Sequence, residues 1–448
     1  MSEPPAPEVP SRIEGPFLMP PADGDRPAPE PQSERSAPDP ASAAGSSGAA
    51  VSSARLPQAV QQPAVQPEAR QETRQSGPQP VREPGPSRGK VKREPGPPDG
   101  PAGRKMTCPY CLSEFDWNKA PLVDRDEAGV DTPLRPQPGE SDARWRTRTM
   151  HAWRICDVAG EDHYIPASLG GMKPLIIGLV GKSSSGKSHL LAAMMQELEN
   201  AALKITHRLN VLPLDARLQR TLTEKYQLGL LSERKVLPRT FRGTPEFTCA
   251  YRVTSGHTGE QYALLVFDVA GEIFTAGDTA EMTPFMAVAD ALVFVADGAD
   301  LDVRPGAPVA DPGFTAVLTH IDQVRARGGQ QFLPVPAALV VAKSDRLRTF
   351  PEVDRWIVRD DDLDLTTVEQ ESEDAYVFLR ARGAGSWLAP VQECADATLH
   401  FASATGVDPE DGEYPERSFR RQRVLRPLLS LLAMRGVLPR QMIDPEAS

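Results

Sequence analysis

The stretch Pro174 to Met194, PLIIGLVGKSSSGKSHLLAAM, constrains this chain most. An apolar run (Leu175 to Val180) meets GKSSSGKS, and helix-forming residues follow at once. That order predicts strand, glycine-bounded loop and helix, the context that raises a G-x-x-x-x-G-K-[ST] match above a chance pattern. Gly181 would let the chain leave the strand in a tight turn, and Gly186 would let successive backbone N–H groups face an oxyanion. Lys187 would set an ammonium against the outer phosphates. The Ser188 hydroxyl would ligate a phosphate-bound Mg²⁺ at the helix start, where the dipole also favours negative charge. Ser185 and His189 border the same loop and join the expected nucleotide contacts. The plainer alternative is a serine-rich helix cap with one solvated lysine; the flanking strand and helix argue against it.

Composition divides the rest. Of 46 prolines, 23 precede Lys105, and that region has a single aromatic residue, Phe17. Such a segment buries too little apolar surface to offset its chain entropy, so residues 1–104 are expected to form a disordered tail. No apolar signal-peptide core is visible there, and no later stretch reaches the roughly 18 apolar residues of a membrane helix. A soluble, cytoplasmic protein is expected. The formal net charge of -11 argues against general nucleic-acid binding, which needs basic surface to displace counterions.

Five cysteines in 448 residues do not make a disulfide scaffold; their spacing suggests metal for three and core packing for two. In TCPYCLSEFDW, Cys108 and Cys111 form a C-x-x-C turn that points two thiolates the same way, as Zn²⁺ chelation requires. Cys156 is the expected third ligand, and the fourth would be His163, His151 or Asp157. The alternative is a pair of thiols in a small unmetallated turn. This module, 105–166, is read as zinc-ribbon-like, with Asp116 to Trp145 as a long loop rich in charge, Pro and Gly.

Beyond the phosphate loop, a helix is expected over Lys187 to Ala202 with Leu190, Leu191, Met194, Met195 and Leu198 on its apolar face. A second helix spans Leu214 to Leu231. Phe247 to Thr254 and Gln261 to Asp268 alternate like hairpin strands about Gly256 to Gly259, with Cys249 as a core residue. Three buried strands follow, at Ala291 to Ala296, Ala337 to Ala342 and Thr398 to Ala402. Helices separate them near Phe314 to Arg327 and Glu369 to Arg382, and a last amphipathic helix covers Arg417 to Met434. Alternating strands and helices predict an α/β domain over 172–440, its mainly parallel sheet covered on both faces and edged by one antiparallel hairpin.

Ligands bind beyond the carboxyl ends of such strands, and those ends are informative. The Asp268 strand closes into DVAGE: a carboxylate there would hold the Mg²⁺ shell through water, and the Gly271 N–H would bond a γ-phosphate. The Ala342 strand closes into AKSD. Lys343 would lay its stem along a purine, and the Asp345 carboxylate would accept from N1–H and the exocyclic amine of guanine, a donor pair adenine lacks. The last strand closes into SATG, where Ser403 and Ala404 would meet the guanine carbonyl.

With GKSSSGKS, DVAGE, AKSD and SAT in that order, residues 175–434 resemble GTPases of the translation-factor-related P-loop class (TRAFAC), which includes the Ras-like switches. The zinc-knuckle module and the long segment after the first helix look more like the double-GTPase families of bacterial conflict systems. The resemblance implies a P-loop NTPase three-layer sandwich, a GTP and Mg²⁺ site, and Lys187, Glu272 and Thr244 as catalytic residues. Thr244, or else Thr240, would complete the Mg²⁺ shell, with Arg239 or Arg242 as an internal arginine finger or as plain surface charge. Two departures matter. Ala342 stands where the class has Asn or Thr, so a side-chain bond steadying the base loop is absent. Glu272 stands where Ras-like members carry a water-orienting Gln; a carboxylate beside a γ-phosphate is repelled unless protonated or paired, which slows hydrolysis or shifts it to another residue. Two functions therefore stay open: a GTP-hydrolysing switch read by a protein partner, or a low-turnover nucleotide-bound adaptor. An ATPase is disfavoured by Asp345.

Overall fold

The structure, a computed structural model, describes residues 105–444 apart from 109–110, 112, 127, 159, 161, 171, 239–247, 269–287, 304–310 and 326–329. The expected tail, Gly271, Glu272, Arg239, Thr240, Arg242 and Thr244 lie outside the described residues.

The cysteine module contains two small sheets. Strands β1 (Lys105–Thr107) and β2 (Glu114–Asp116) form an antiparallel hairpin. Strands β3 (Leu122–Arg125), β4 (Asp131–Pro133), β5 (Trp153–Cys156) and β6 (His163–Pro166) form a four-stranded sheet in the order β4-β3-β5-β6. The stretch expected as a loop, Asp116 to Trp145, thus holds two strands and the start of a helix, Asp142–Thr149. Its charged surface residues masked the reason: Leu122 and Val123 are buried against Trp153 and its neighbours.

The larger domain is a seven-stranded sheet in the order β13-β12-β11-β7-β10-β9-β8. Its strands are β7 (Lys173–Val180), β8 (Leu209–Pro213), β9 (Cys249–Ser255), β10 (Gln261–Asp268), β11 (Ala291–Asp297), β12 (Ala337–Ala342) and β13 (Ala397–Phe401). The first five in that order pair in parallel, and β9 runs antiparallel to both β10 and β8. Alternation along β7 assigns the two faces. Leu175, Ile177 and Leu179 share a core with Leu190, Leu191, Met194, Met195 and Leu198 of the helix Lys187–Leu198 and with the helix Arg426–Met434. Ile176 and Val180 face the other way, toward Phe314 of the helix Pro312–Val324 and Phe378 of the helix Val368–Ala381. Helices on both faces of a mostly parallel sheet make the three-layer α/β sandwich.

Three expectations change. The connection after the phosphate-loop helix contains β8 as well as helices, because Leu209 to Pro213 pairs along β9 at the sheet edge; two strands, not one, lie beyond β10. The phosphate-loop helix stops at Leu198, and a separate short helix occupies Ala202–Thr206. The last helix begins at Arg426, not Arg417: Arg423 has a left-handed φ of 57°, and Pro427 sits in the helix's first turn, where its missing N–H costs nothing. Upstream, Gln422 instead exchanges backbone hydrogen bonds with Ser403 (3.0 and 2.8 Å).

The cysteine module shares a core with the larger sheet through Phe115, Trp117, Ile165 and Leu169, and also meets the helix Ala216–Leu222, which continues as a π-type segment Thr223–Ser232. Leu218 packs with Val123, Trp153 and Ile155, and Arg217 pairs with Asp124 at 3.4 Å. Among the described residues no helix is long and apolar enough to cross a membrane.

Candidate functional site

The phosphate loop leaves β7 at its carboxyl end, beside β11. A Cβ on Gly181 would lie 2.4 Å from the Val295 carbonyl oxygen, so only glycine permits this passage. Gly186, the residue before the helix, has φ 95°, a backbone state that L side chains resist. Lys187 is buried, and its ammonium donates to the carbonyls of Gly181 (2.6 Å) and Lys182 (2.8 Å). Burial pushes its pKa down, against the pull of Asp268 and Asp311. The Ser185 hydroxyl is buried with no hydrogen-bond partner among the described residues. The Ser188 hydroxyl donates to Asp268 at the tip of β10, 2.7 Å away. A hydroxyl and a carboxylate meeting at a helix start are hard oxygen donors, suited to Mg²⁺.

Two carboxylates that sequence reasoning missed brace the loop. Asp311 accepts from the Lys182 N–H (2.9 Å) and caps the next helix through Gly313 N–H (3.0 Å). Asp297, at the tip of β11, accepts from Lys343 (3.0 Å), lies 3.8 Å from Lys182 and accepts from the Ala299 N–H. A signal existed for each: an Asp-Pro helix start at 311–312, and a carboxylate closing a predicted buried strand at 297.

Lys343 has a left-handed φ of 55° and also donates to the Ser184 carbonyl at 2.8 Å. Around Ala342 other bonds hold the loop: Gly298 N–H donates to Ala342 O (2.9 Å), Ser344 N–H to Ala402 O (3.1 Å), and the Ser344 hydroxyl to Val341 O (2.7 Å). A Cβ on Gly298 would stand 2.4 Å from Ala342 O, so glycine is required there too. Burial raises the pKa of Asp345, and a hydrogen bond from Ser403 opposes the rise. The Ser403 hydroxyl accepts from the Gly406 N–H at 2.8 Å.

These pieces enclose one cleft of about 390 Å³. Gly186, Lys187, Ser188 and His189 line one part, and Lys343, Asp345, Ser403 and Ala404 another. Gly181, Ser185 and Asp268 are not among the residues that line it. Residues with no motif complete the wall, among them Val236 to Pro238, Val407 to Pro409 and Tyr414. His189 faces two of them, accepting from the Leu237 N–H (3.3 Å) and meeting the Tyr414 ring edge-on at 6.1 Å. Burial lowers its pKa to about 4, with Lys343 adding to the drop.

A second cluster lies in the cysteine module. One ligand atom each from Cys108, Cys111, Cys156 and His163 all fall within 4.8 Å of one another. Cys156 and His163 stand opposite each other across β5 and β6, and the Cys111 and Cys156 sulfurs are 3.8 Å apart. That matches the edge of a tetrahedron with Zn–S bonds of about 2.3 Å. A hydrogen bond from Cys108 holds the Cys156 thiol down at about 6, with help from Val158, Cys111 and His163. His151 instead lies 4.0 Å from Asp215, and Asp157 is outside the cluster. Cys249 and Cys394 are buried in the larger core.

Residues 175–377 match the family model "Double-GTPase 2". The match includes the phosphate loop, Asp268 and the AKSD loop, and stops short of Ser403. No curated protein matches the chain. Solved structures that match include the GTPase-like domain of S. cerevisiae Ski7 bound to GTP, at 12% identity and TM-score 0.30, and the same domain bound to GDP and inorganic phosphate, at 13% and 0.29. Each match covers 59% of this chain and only 50% of the other. The likeness to a double-GTPase P-loop GTPase thus rests on residues 175–377, the stretch that holds the phosphate loop and the AKSD loop.

Proposed function

We propose that the chain binds GTP with Mg²⁺ in this cleft and hydrolyses it slowly, acting as a switch whose nucleotide state a protein partner reads. The observation that carries the proposal is convergence: Gly186, Lys187 and Ser188 share one cleft with Asp345 and Ser403. A phosphate-binding and a base-reading half therefore meet where open α/β sheets bind ligands. Mg²⁺, when bound, would neutralise developing phosphate charge; Ser188 would hold it directly and Asp268 through water, with Thr244 from outside the described residues. Lys187 would set its ammonium against the outer phosphates, while Asp345 accepts the two guanine donors. Glu272 favours the second reading, an adaptor with little turnover, because a carboxylate is a poor orienter of water beside a γ-phosphate. The double-GTPase family supports a place in a bacterial conflict or signalling system. We further infer a structural Zn²⁺ on Cys108, Cys111, Cys156 and His163, a closed donor set.

Calorimetry with GTP and ATP, with and without Mg²⁺, on the parent and on Lys187→Ala tests the assignment. GTP should bind with Mg²⁺, ATP far more weakly, and the variant not measurably. Equal GTP affinity in Lys187→Ala would sink it. Steady phosphate release from GTP separates the switch from the adaptor.

A further inference from the structure

Part of the cleft wall without a motif is built by a small β-clasp. Glu410 to Glu413 closes through reciprocal backbone bonds (2.7 and 2.9 Å), and Asp411 and Gly412 both have positive φ, 50° and 85°. That is the two-residue turn for which Asp-Gly is suited. It presents Glu413 to Lys235 as an antiparallel bridge, flanked by Val236 N–H to Gly412 O (3.0 Å) and Tyr414 N–H to Arg234 O (2.7 Å). The clasp seats Tyr414, only 8% exposed, against Leu237, Leu230 and Ala192, with one side of its environment being the cleft.

We propose that this clasp is a nucleoside-binding element: Tyr414 is the wall against which the base of a guanine nucleotide packs, and the nucleotide enters and leaves as the Lys235–Glu413 bridge opens. The inference rests on the nucleotide reading above and adds the recognition of the base's face to that of its edge by Asp345. An aromatic ring beside an acidic edge-reader suits a planar heterocycle, whose faces stack and whose edge donates. Burial, with Asp345 and Asp408, pushes the Tyr414 hydroxyl up to about 12, so the wall stays uncharged beside those carboxylates. The clasp is joined to the 234–236 segment by one bridge, made of two backbone bonds, and a unit that small opens locally without disturbing the sheet.

The bridge geometry supplies its own test. The flanking bonds make Lys235 and Glu413 a non-hydrogen-bonded pair, whose Cα atoms approach to about 4.5 Å, inside the disulfide range. In the Lys235→Cys, Glu413→Cys double variant, dissociation of N-methylanthraniloyl-GDP chased with excess GDP in Mg²⁺ should slow at least about tenfold on oxidation and recover on mild reduction. The single-cysteine variants control for effects on other thiols. Tyr414→Ala should release the probe about tenfold faster than the parent, and Tyr414→Phe at close to the parental rate. Equal rates in the oxidised and reduced double variant overturn the gate, and a parental rate in Tyr414→Ala, or a fast one in Tyr414→Phe, overturns the wall. A parent that binds no guanine nucleotide overturns the nucleotide reading itself, and the clasp's role with it.

Discussion

The Ser188 hydroxyl donates to the Asp268 carboxylate across 2.7 Å, tying the first turn of the phosphate-loop helix to the tip of β10. Both oxygens converge where a cation on a bound triphosphate would sit. Ser188→Ala removes one of them without enlarging the core. GTP affinity in Mg²⁺ should fall about tenfold or more, the scale of a lost contact to charge, while affinity in EDTA changes little. Isothermal titration in both buffers checks this, and an undiminished response to Mg²⁺ would exclude Ser188 as a ligand.

Asp345 tests the base. Burial raises its pKa and the Ser403 bond opposes the rise, so its acceptor capacity depends on that hydroxyl. Asp345→Asn exchanges one acceptor for a donor, which costs GTP about 1 to 3 kcal/mol and suits xanthine, whose C2 oxygen accepts. Competition between GTP and xanthosine triphosphate should reverse in the variant. Unchanged GTP and ATP affinities would mean that AKSD is only a strand end and turn.

The cysteine cluster makes a prediction independent of nucleotide. Purified protein should carry about one zinc per chain, and Cys108→Ser should lose it. Melting of the variant, or of the parent with chelator, should fall by about 5 °C or more, with GTP affinity retained. Metal analysis and a thermal scan suffice, and a parent that is metal-free and indifferent to chelator would refute the zinc site.

His189 predicts a pH dependence. Its pKa drops from near 6.5 to about 4 on folding, so above pH 6.5 the ring is neutral in both states and contributes nothing to the slope. Between 6.5 and 4 the unfolded chain takes up a proton that the folded one refuses, and stability is lost as pH falls. Discounted for the ring's partial exposure, the loss is on the order of 2 kcal/mol. Denaturant titrations at pH 7 and 4.5 should show a smaller loss for His189→Gln than for the parent; parallel losses would show that another group carries the slope.

Much of this was legible in the chain because its causes are local. GKSSSGKS between an apolar run and a helical face could hardly be other than strand, loop and helix, and Gly181 and Gly186 are required by backbone geometry a few atoms away. Asp268, Asp345 and Ser403 could be placed at one edge from the sequence because each ends or follows a buried strand, and parallel strands bring their carboxyl ends together. The choice of His163 over His151 needed strand pairing, since only the β5–β6 register sets His163 opposite Cys156. Tyr414 carries no sequence signal: it sits in a polar loop and reaches the cleft through one bridge to Lys235. Glu371 shows the limit best. It stands on a charged helix and is nevertheless fully buried, bonded to Arg423 (2.7 Å), Arg426 (3.1 Å) and the Phe401 N–H (3.0 Å). Those arginines lie more than fifty residues away, in the segment whose Gln422 pairs with Ser403. A buried carboxylate is tolerated only where such partners arrive, and chain distance says nothing of who arrives; the packing of the last helix against β12 and β13 decides it.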